Sequence, residues 1–443
     1  MLKADRESRR RRLLRKYDVQ VSNVPVFPDR VDGPVFPLAY TDSGIQEGDE
    51  PTLVVVPGGP GFASVSPYAY HRPRIARAGF RVVMVEHRGV GLSRHDAQGE
   101  DLPVEAMWAE YAARDILTVL DHLGVGKVWL HGTSYGGYVA QLIGVLAPER
   151  VAGMFLDTTM VSTEDGVAQR EHNRRLFHRG ESPETARIAE QVQALLASGK
   201  ATDEELTELV PPVYEFLGPR VLERLLALVD AGRRTEWGYL HRQLRKELDD
   251  EADPFIFQFD LAGVIWYREL VPTVPDGMLF DTARMFAEKA ANFPPFEGEP
   301  FDSDEKLPGF DWPIVLFSGG RDTREPAFLH RDMSLRLPYA LHVVFPEAAH
   351  DLLRFRTKAV LEIEQAAVHK GLDEASRVAL ETVADSPWHP QHVIARIAEG
   401  YLALAKASTR TAIRRGATLF ILVILIVLIW RTGGRRLVDK LDL

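Results

Sequence analysis

The most constraining feature of this chain is the repeated alternation of short apolar segments with longer helical ones. The apolar segments are TLVVVPGG from Thr52, RVVMVEHRG from Arg81, KVWLHG from Lys127 and VAGMFLDTT from Val151. Helical patterns separate them, and the clearest of these patterns ends at Gly124. Strands that are apolar throughout must be buried on both faces, which is typical of a parallel sheet covered by helices. The sequence therefore predicts an α/β fold with a mostly parallel sheet.

The alternation stops between residues 160 and 308, where the chain is charged, helical and interrupted by proline pairs. Strand patterns return in WPIVLFSGGRD from Trp312 and in ALHVVFPEAAHD from Ala340. An insertion between two strands of one sheet is most simply a helical cap over the carboxyl edge, where such folds bind ligands. We therefore divide the chain into a basic arm (1–22), the first half of a core (23–159), a cap (160–308), the second half of the core (309–358), a helical extension (359–411) and a tail (412–431).

The two ends of the chain carry different kinds of segment. The first residues, MLKADRESRRRRLLRKYDV, are strongly basic and lack the apolar run of a secretory signal. We interpret them as a solvated arm, with attraction to anionic lipid headgroups as the alternative. Residues 416–430, GATLFILVILIVLIW, are apolar and have arginines on both sides.

The apolar run at residues 416–430 predicts a membrane anchor. As a helix it is about 22 Å long, which is shorter than the hydrocarbon core of a bilayer and leaves a buried helix as the alternative. It has no polar stripe, however, its flanking arginines can snorkel, and Trp430 lies where an interfacial aromatic residue belongs. We predict a single-pass transmembrane tail anchor at residues 412–431 that leaves the bulk of the chain in the cytoplasm.

Composition argues against two classes of site. The net charge is −10, whereas nucleic-acid binding usually requires a basic face, so we predict no nucleic-acid partner. The chain has no cysteine, which excludes disulfides and thiolate metal sites.

A small hydroxyl residue occupies the turn between a predicted strand and a predicted helix. The sequence GTSYG, with Ser134 at its centre, follows KVWLH and precedes an apolar helical segment. In this context G-x-S-x-G is the pattern of a nucleophile elbow, a turn so tight that only small residues fit beside the serine. We predict that Ser134 is a nucleophile exposed at a helix N-terminus, with a purely structural turn as the alternative.

A serine becomes nucleophilic when a base takes its proton and an acid orients that base. After a nucleophile elbow, the acid and then the histidine follow on loops after later strands. Asp322 follows the strand pattern VLFSGG, and His350 follows VVFPEAA. We predict Asp322 as the acid and His350 as the base. Asp157, after an earlier strand in FLDTT, is the rival acid.

The oxyanion that forms during acyl transfer requires hydrogen-bond donors near the serine. One donor is the backbone N–H of Tyr135, and the second comes from the loop after an early strand. The sequence PGGPG at residues 57–61 lets that loop approach a ligand closely. We predict Gly59 as the second donor. The loop lacks the lysine of a Walker phosphate-binding motif.

Together these motifs resemble the α/β-hydrolase fold and, within it, the proline iminopeptidase (prolyl aminopeptidase) family of serine peptidases. The resemblance covers residues 23–358 and is carried by GGPG, RGVGLS, the elbow, GGRD and the histidine. It implies removal of an N-terminal residue, typically proline, through an acyl-enzyme on Ser134. Pro57 and Glu86 stand where the family has a histidine and an aspartate, and Tyr135 is the aromatic residue after the serine. These departures leave the substrate class open.

The resemblance also implies cap glutamates that bind the free ammonium group of a substrate. The segment AGVIWYRELVP resembles one such cap segment and places Glu269 at the matching position. Glu236, in RRTEWGYL, is a second candidate. A solvated helix face is the alternative interpretation of both residues.

The sequence thus predicts an α/β-hydrolase fold with a helical cap and a C-terminal hydrophobic helix. The predicted function is a membrane-tethered serine aminopeptidase that acts on a peptide or small-molecule substrate without a metal or cofactor. A carboxylesterase or other small-molecule hydrolase is the first alternative, favoured if the cap pocket is apolar. A catalytically silent, membrane-anchored interaction protein that kept the fold is the second.

Overall fold

An eight-stranded sheet forms the centre of the part of the chain that the structure describes. The structure is a computed structural model that describes residues 3–384, except residues 31, 45–47, 49, 249–252, 254 and 273, together with residues 398, 399 and 402. The strands are β1 (Gln20–Pro25), β2 (Val35–Ser43), β3 (Thr52–Val56), β4 (Arg81–Val85), β5 (Val128–Thr133), β6 (Val151–Asp157), β7 (Ile314–Gly319) and β8 (Ala340–Phe345).

The sheet is mostly parallel. Its strand order is β1-β2-β4-β3-β5-β6-β7-β8. Strand β2 pairs antiparallel with β1 and β4, whereas all pairs from β4–β3 to β7–β8 are parallel. The predicted mostly parallel sheet is therefore confirmed. Because β3 lies between β4 and β5, the strand order reverses there, and such a reversal opens a crevice at the carboxyl ends of the strands.

Helices flank the sheet and fill the interval between β6 and β7. They are α1 (Lys3–Lys16), α2 (Arg72–Arg77), α3 (Ala109–His122), α4 (Tyr135–Leu146), α5 (Asp165–Phe177), α6 (Ala186–Ala197), α7 (Asp203–Leu217), α8 (Pro219–Asp230), α9 (Thr235–Leu248), α10 (Phe259–Ile265), α11 (Thr282–Ala290), α12 (Ser303–Lys306), α13 (Ala327–Ser334), α14 (Leu352–Phe355), α15 (Thr357–Lys370) and α16 (Leu372–Ala384). A π-helical turn, Trp266–Leu270, follows α10 directly.

The inner strands are buried on both faces. In β3, Val54 and Val56 belong to the apolar cluster that includes α3 and α4, whereas Leu53 and Val55 belong to the cluster that includes α15 and α16. Successive side chains of a strand point to opposite faces, so both sets must be apolar. This explains the unbroken apolar sequences of these strands.

The helices between β6 and β7 fall into two groups. Helices α5 to α9 share an apolar core of their own, with buried members that include Phe177, Leu209, Leu226 and Trp237. Helix α10 instead packs on the main core, where Ile265 is buried. The insertion between β6 and β7 therefore has an apolar core of its own in α5 to α9 and packs against the sheet domain through α10.

The basic N-terminal segment is not a solvated arm. It forms α1, and Leu13 and Tyr17 are buried in one apolar cluster with Leu92 and Phe255. Residues four positions apart share one helix face, so Leu13 and Tyr17 contact the core together, whereas Arg15 and Lys16 between them are exposed. The interpretation as a solvated arm is wrong because Leu13 and Tyr17 are buried. The many arginines in the segment make this apolar spacing hard to recognise in the sequence.

Within the described residues, no helix is both long and apolar enough to cross a membrane. The predicted tail anchor at residues 412–431 lies outside the described residues. Of the predicted extension beyond residue 384, Ala398 and Leu402 are buried in the core shared by α5 to α9. Arg224 of α8 donates a hydrogen bond of 2.9 Å to the carboxylate of Glu399.

Candidate active site

Ser134 lies in the turn between β5, which ends at Thr133, and α4, which begins at Tyr135. Its backbone has φ of 55° and ψ of −124°, a conformation that L residues rarely adopt. A Cβ on Gly132 would lie 2.4 Å from the carbonyl oxygen of Gly136. The elbow therefore requires glycine beside the serine, and Ser134 remains partly exposed at the N-terminus of α4.

Asp322 and His350 are brought together from two loops. Asp322 follows β7, His350 follows β8, and His350 Nδ1 donates a hydrogen bond of 2.8 Å to Asp322 Oδ2. The other carboxylate oxygen of Asp322 accepts the N–H groups of Arg324 and Glu325 at 2.9 and 3.0 Å. With Nδ1 used as a donor, Nε2 is the nitrogen of His350 that can accept a proton.

The electrostatics of this pair favour an ionised aspartate and a basic histidine. Burial opposes ionisation of both groups, but their mutual attraction is stronger. The His350 charge and hydrogen bond hold the pKa of Asp322 below its usual value. Asp322 in turn raises the pKa of His350 above its usual value. The pair thus has the protonation properties of an acid that orients a general base.

The rival acid, Asp157, has other partners. Its Oδ1 accepts the N–H of Leu352 at 3.0 Å, and its Oδ2 accepts the N–H of Leu353 at 2.8 Å. These two amides begin α14, directly after the loop that carries His350. Asp157 therefore caps a helix and supports the histidine loop, and it does not replace Asp322 beside His350 Nδ1.

The glycine-rich loop after β3 runs beside the serine. A Cβ on Gly58 would lie 3.2 Å from the Cβ of Ser134, a tight contact that shows how closely the loop approaches the serine. The predicted donor Gly59 is the next residue, with φ of 138° and a cis peptide bond to Pro60. Tyr135 is the first residue of α4, and the first N–H groups of a helix have no partner within it.

The side chain of Glu86 accepts hydrogen bonds from backbone N–H groups in the same region. Its Oε2 accepts the N–H groups of Ser64 and Val65 at 2.8 and 3.0 Å, and its Oε1 accepts the N–H of Leu92 at 3.1 Å. A buried carboxylate with these donors holds the segment that follows the glycine-rich loop. Glutamate in place of the family's aspartate is therefore accommodated structurally.

Glu269 acts electrostatically on Tyr135, the residue that follows Ser134. It is buried in the π-helical turn, and its Oε2 accepts the N–H of Ala109, the first residue of α3, at 2.9 Å. Burial raises the pKa of Glu269 to about 7. Burial also raises the pKa of the Tyr135 phenol, and the negative charge of Glu269 raises it further. The charge of Glu269 therefore reaches the Tyr135 side chain, and one oxygen of Glu269 accepts a hydrogen bond from the first residue of α3.

Glu236 is placed differently. It is buried in the first turn of α9, a helix that packs against α7 and α8. Its neighbour Trp237 is part of the core shared by α5 to α9. A role for Glu236 in substrate binding stays a prediction.

Glu215, which no sequence motif indicated, is a buried residue in the last turn of α7. Its Oε2 accepts the hydroxyl of Thr323 at 2.9 Å, and its Oε1 is 3.2 Å from a guanidinium nitrogen of Arg324. The same Oε1 accepts the N–H of His350 at 3.4 Å. The only available signal was local: the glutamate stands within VYEFL, among apolar residues rather than charged ones.

The described residues contain no group of three or more His, Asp or Glu side chains arranged to hold a metal ion. The site is built instead from a serine, a histidine and carboxylates at the carboxyl ends of parallel strands. This arrangement can transfer an acyl group through the serine.

Comparison with known proteins agrees with this architecture. Residues 51–181 match a family described as alpha/beta hydrolase fold. The 2-hydroxy-6-oxononadienedioate/2-hydroxy-6-oxononatrienedioate hydrolase of Burkholderia vietnamiensis is 30% identical over 125 residues, 28% of this chain and 41% of that protein. The proline iminopeptidase of Neisseria meningitidis is 33% identical over 121 residues, 27% of this chain and 35% of that protein.

Among solved structures, that of VinJ is similar with a TM-score of 0.47 and 16% identity, covering 81% of this chain and 99% of that one. The aligned segments span about two fifths or less of the length of the two curated relatives. The α/β-hydrolase fold is confirmed, and the resemblance to proline iminopeptidases is found in sequence. Because the two relatives are named for different activities, these similarities do not select one substrate.

Proposed function

We propose that this protein of α/β-hydrolase fold is a serine aminopeptidase, which releases an N-terminal residue from a peptide through an acyl-enzyme. The observation that carries the serine chemistry is the hydrogen bond of 2.8 Å between His350 Nδ1 and Asp322 Oδ2, formed at the same sheet edge as the elbow of Ser134. This bond leaves Nε2 of His350 free for proton transfer.

The proposed reaction has two halves. In the first, Ser134 Oγ attacks the scissile carbonyl carbon while His350 Nε2 takes the hydroxyl proton and passes it to the leaving amine. The backbone N–H of Tyr135 and one from the Gly58–Gly59 segment stabilise the oxyanion. In the second, His350 activates a water molecule that hydrolyses the acyl-enzyme and frees Ser134.

The preference for a free amine rests on Glu269. Burial raises the pKa of Glu269 to about 7, although the positive charge of Arg268 acts in the opposite direction. A substrate ammonium would favour the ionised form and satisfy it. The partial similarity to the proline iminopeptidase of Neisseria meningitidis supports the same substrate class.

An esterase is the second candidate, and a specific observation favours it. Aromatic rings surround the segment that carries Glu269: Tyr267 stacks on Phe293 at 4.6 Å between centroids, and Phe259 lies 6.0 Å from Tyr267. Such a surface suits an apolar acyl group as well as a prolyl ring.

Paired substrates separate the two candidates. The detergent-solubilised protein is assayed with proline p-nitroanilide, its N-acetylated form and p-nitrophenyl butyrate, beside Ser134→Ala. We expect cleavage of the free amine alone, with turnover lost in Ser134→Ala. Cleavage of the butyrate alone would establish the esterase, and turnover that survives in Ser134→Ala would contradict the serine mechanism.

We also propose that residues 412–431 anchor the protein in a membrane, with the hydrolase on the cytoplasmic side. The support is the unbroken apolar run at residues 416–430 and its flanking arginines. The full chain should stay in membranes after alkaline carbonate extraction. The double variant Val423→Arg, Ile426→Arg should be extracted, because arginine near the bilayer centre costs roughly 2.5–3.5 kcal/mol per residue. Extraction of the unmodified chain would contradict an anchor.

A further inference from the structure

We propose that Glu215 is a positioning residue through which helix α7 of the cap fixes the two loops that carry Asp322 and His350. The inference rests on the proposed serine chemistry but not on the identity of the leaving group. Its basis is the set of contacts that one buried carboxylate makes to both loops at once.

The first loop is held at the residues that follow Asp322. The Thr323 hydroxyl donates 2.9 Å to Glu215 Oε2, and Arg324 forms an ion pair of 3.2 Å with Oε1. The second loop is held at His350 itself, because the backbone N–H of His350 donates a hydrogen bond of 3.4 Å to Glu215 Oε1. Glu215 therefore fixes the acid and the base relative to each other from outside the sheet domain.

The position of Glu215 in α7 does not stabilise the helix itself. It stands in the last turn before Gly218, where the helix dipole disfavours a negative charge. A carboxylate that is buried at such a position needs donors from elsewhere, and the two loops supply them. Both oxygens of Glu215 are engaged within the protein. These contacts indicate that Glu215 positions the two loops rather than binds the substrate.

The charge of Glu215 also acts on His350. The charged and titratable groups around the imidazole are Asp322, Arg324, Glu215, His330 and Asp351. Asp322 and Glu215 raise the pKa of His350, whereas Arg324 lowers it. Removal of the Glu215 charge takes away one of the two carboxylates that raise the pKa of His350, so this pKa should fall. A residue that positions the loops and also shifts the pKa of His350 can therefore be distinguished, by the pH profile, from a residue that only stabilises the fold.

The experiment compares Glu215→Gln with Glu208→Gln in the full-length protein. Glu208 lies on the same helix and pairs with Arg245 at 2.7 Å, so it controls for the loss of a cap ion pair. We expect Glu215→Gln to lower kcat about tenfold or more with KM within about threefold. The acidic limb of its pH–rate profile should move to lower pH. Glu208→Gln should change neither.

A second variant guards against misfolding of the first. Thr323→Val removes one donor to Glu215 but keeps its charge, so we expect a smaller fall in kcat and no shift of the acidic limb. An unchanged kcat and pH profile in Glu215→Gln would overturn the inference. A rise in KM alone would also overturn it, because that result belongs to a substrate ligand.

A readout independent of turnover separates this inference from the proposed function. Carbethoxylation by diethyl pyrocarbonate, measured at His350 by peptide mass spectrometry against pH, reports the neutral imidazole directly. The midpoint should lie at lower pH in Glu215→Gln than in Glu208→Gln, and equal midpoints would overturn the inference. Labelling of Ser134 by a fluorophosphonate tests the serine mechanism separately, since a failure to label would reject the function and leave the histidine comparison valid.

Discussion

At the residue scale, two aspartates at the ends of neighbouring strands do different work because different groups reach their oxygens. Asp322 receives the imidazole N–H of His350, whereas Asp157 receives the backbone N–H groups of Leu352 and Leu353. Both side chains are buried, so each needs its own hydrogen-bond donors. Neither the residue type nor its position after a strand distinguishes them.

Substitution by asparagine should separate these roles. Asp322→Asn should lower kcat by about 10³–10⁴-fold with little loss of stability, because the amide no longer holds the correct tautomer of His350. Asp157→Asn places an NH₂ group against backbone N–H donors, so it should cost about 1–3 kcal/mol of unfolding free energy. Turnover on the best substrate and urea denaturation of both variants measure the two effects. Equal losses of kcat would contradict the assignment.

Glu269 predicts a dependence of stability on pH. Its pKa is about 7 in the folded protein against 4.5 as the ordinary value, so the folded state holds the extra proton between these pH values. Stability therefore falls as the pH rises through this window. Glu269→Gln keeps an acceptor for Ala109 but cannot ionise. Its Tm relative to the wild type should be several degrees more favourable at pH 8 than at pH 5.

Differential scanning fluorimetry at the two pH values measures this effect. Glu288→Gln, a change at an exposed glutamate of α11, is the control and should show no pH-dependent difference. A lower relative Tm of Glu269→Gln at pH 8 than at pH 5 would show that the ionised carboxylate is satisfied in the free protein. Such a result would remove the reason to assign it an ammonium.

At the scale of elements, burial rather than composition decides what a segment does. Helix α1 carries one of the most basic stretches of the chain, yet Leu13 and Tyr17 dock it on the core. Helix α7 belongs to the segment that the sequence presents as a charged cap, yet its Glu215 contacts the loops that carry Asp322 and His350. In both cases one or two residues on a single face determine the role of the helix.

The docking of α1 should be measurable as stability. Leu13 is buried at the edge of an apolar cluster, so Leu13→Ala should cost about 2 kcal/mol, near the low end for a buried leucine. Arg12→Ala, on the exposed side of the same helix, should change the unfolding free energy by less than about 0.5 kcal/mol. Equal effects of the two substitutions in urea denaturation would show that α1 contributes nothing through its apolar face.

At the scale of the whole molecule, a buried ion pair joins β5, the strand that precedes Ser134, to helix α15. His131 of β5 lies with its Nδ1 2.5 Å from Glu364 of α15, and with its Nε2 3.6 Å from Asp157. Burial favours the neutral imidazole, but the two carboxylates outweigh it and raise the pKa of His131 to about 10. Strand β5, which directly precedes Ser134, is thus tied to α15.

This pair predicts a loss of stability at alkaline pH. A pKa raised from 6.5 to about 10 contributes stability that is complete below 6.5 and is lost as the pH rises toward 10. Glu364→Gln should lower Tm at pH 7 and flatten the decline between pH 7 and 10. Glu362→Gln on the same helix, whose carboxylate is 3.8 Å from Lys358 in a more exposed pair, is the matched control. A wild-type Tm that is constant from pH 7 to 10 would contradict a charged His131.

The sequence by itself determined the mostly parallel sheet, the elbow at Ser134 and the loops that carry Asp322 and His350. These features follow from local periodicity and from the tight turn, which short segments record without reference to the rest of the chain. Only the tertiary structure decided that His350 bonds to Asp322 rather than Asp157, that Glu269 caps α3, that Glu215 reaches both loops and that α1 docks. Those outcomes depend on contacts between residues that are from 28 to more than 200 positions apart, and no local pattern encodes which donor will meet a given carboxylate.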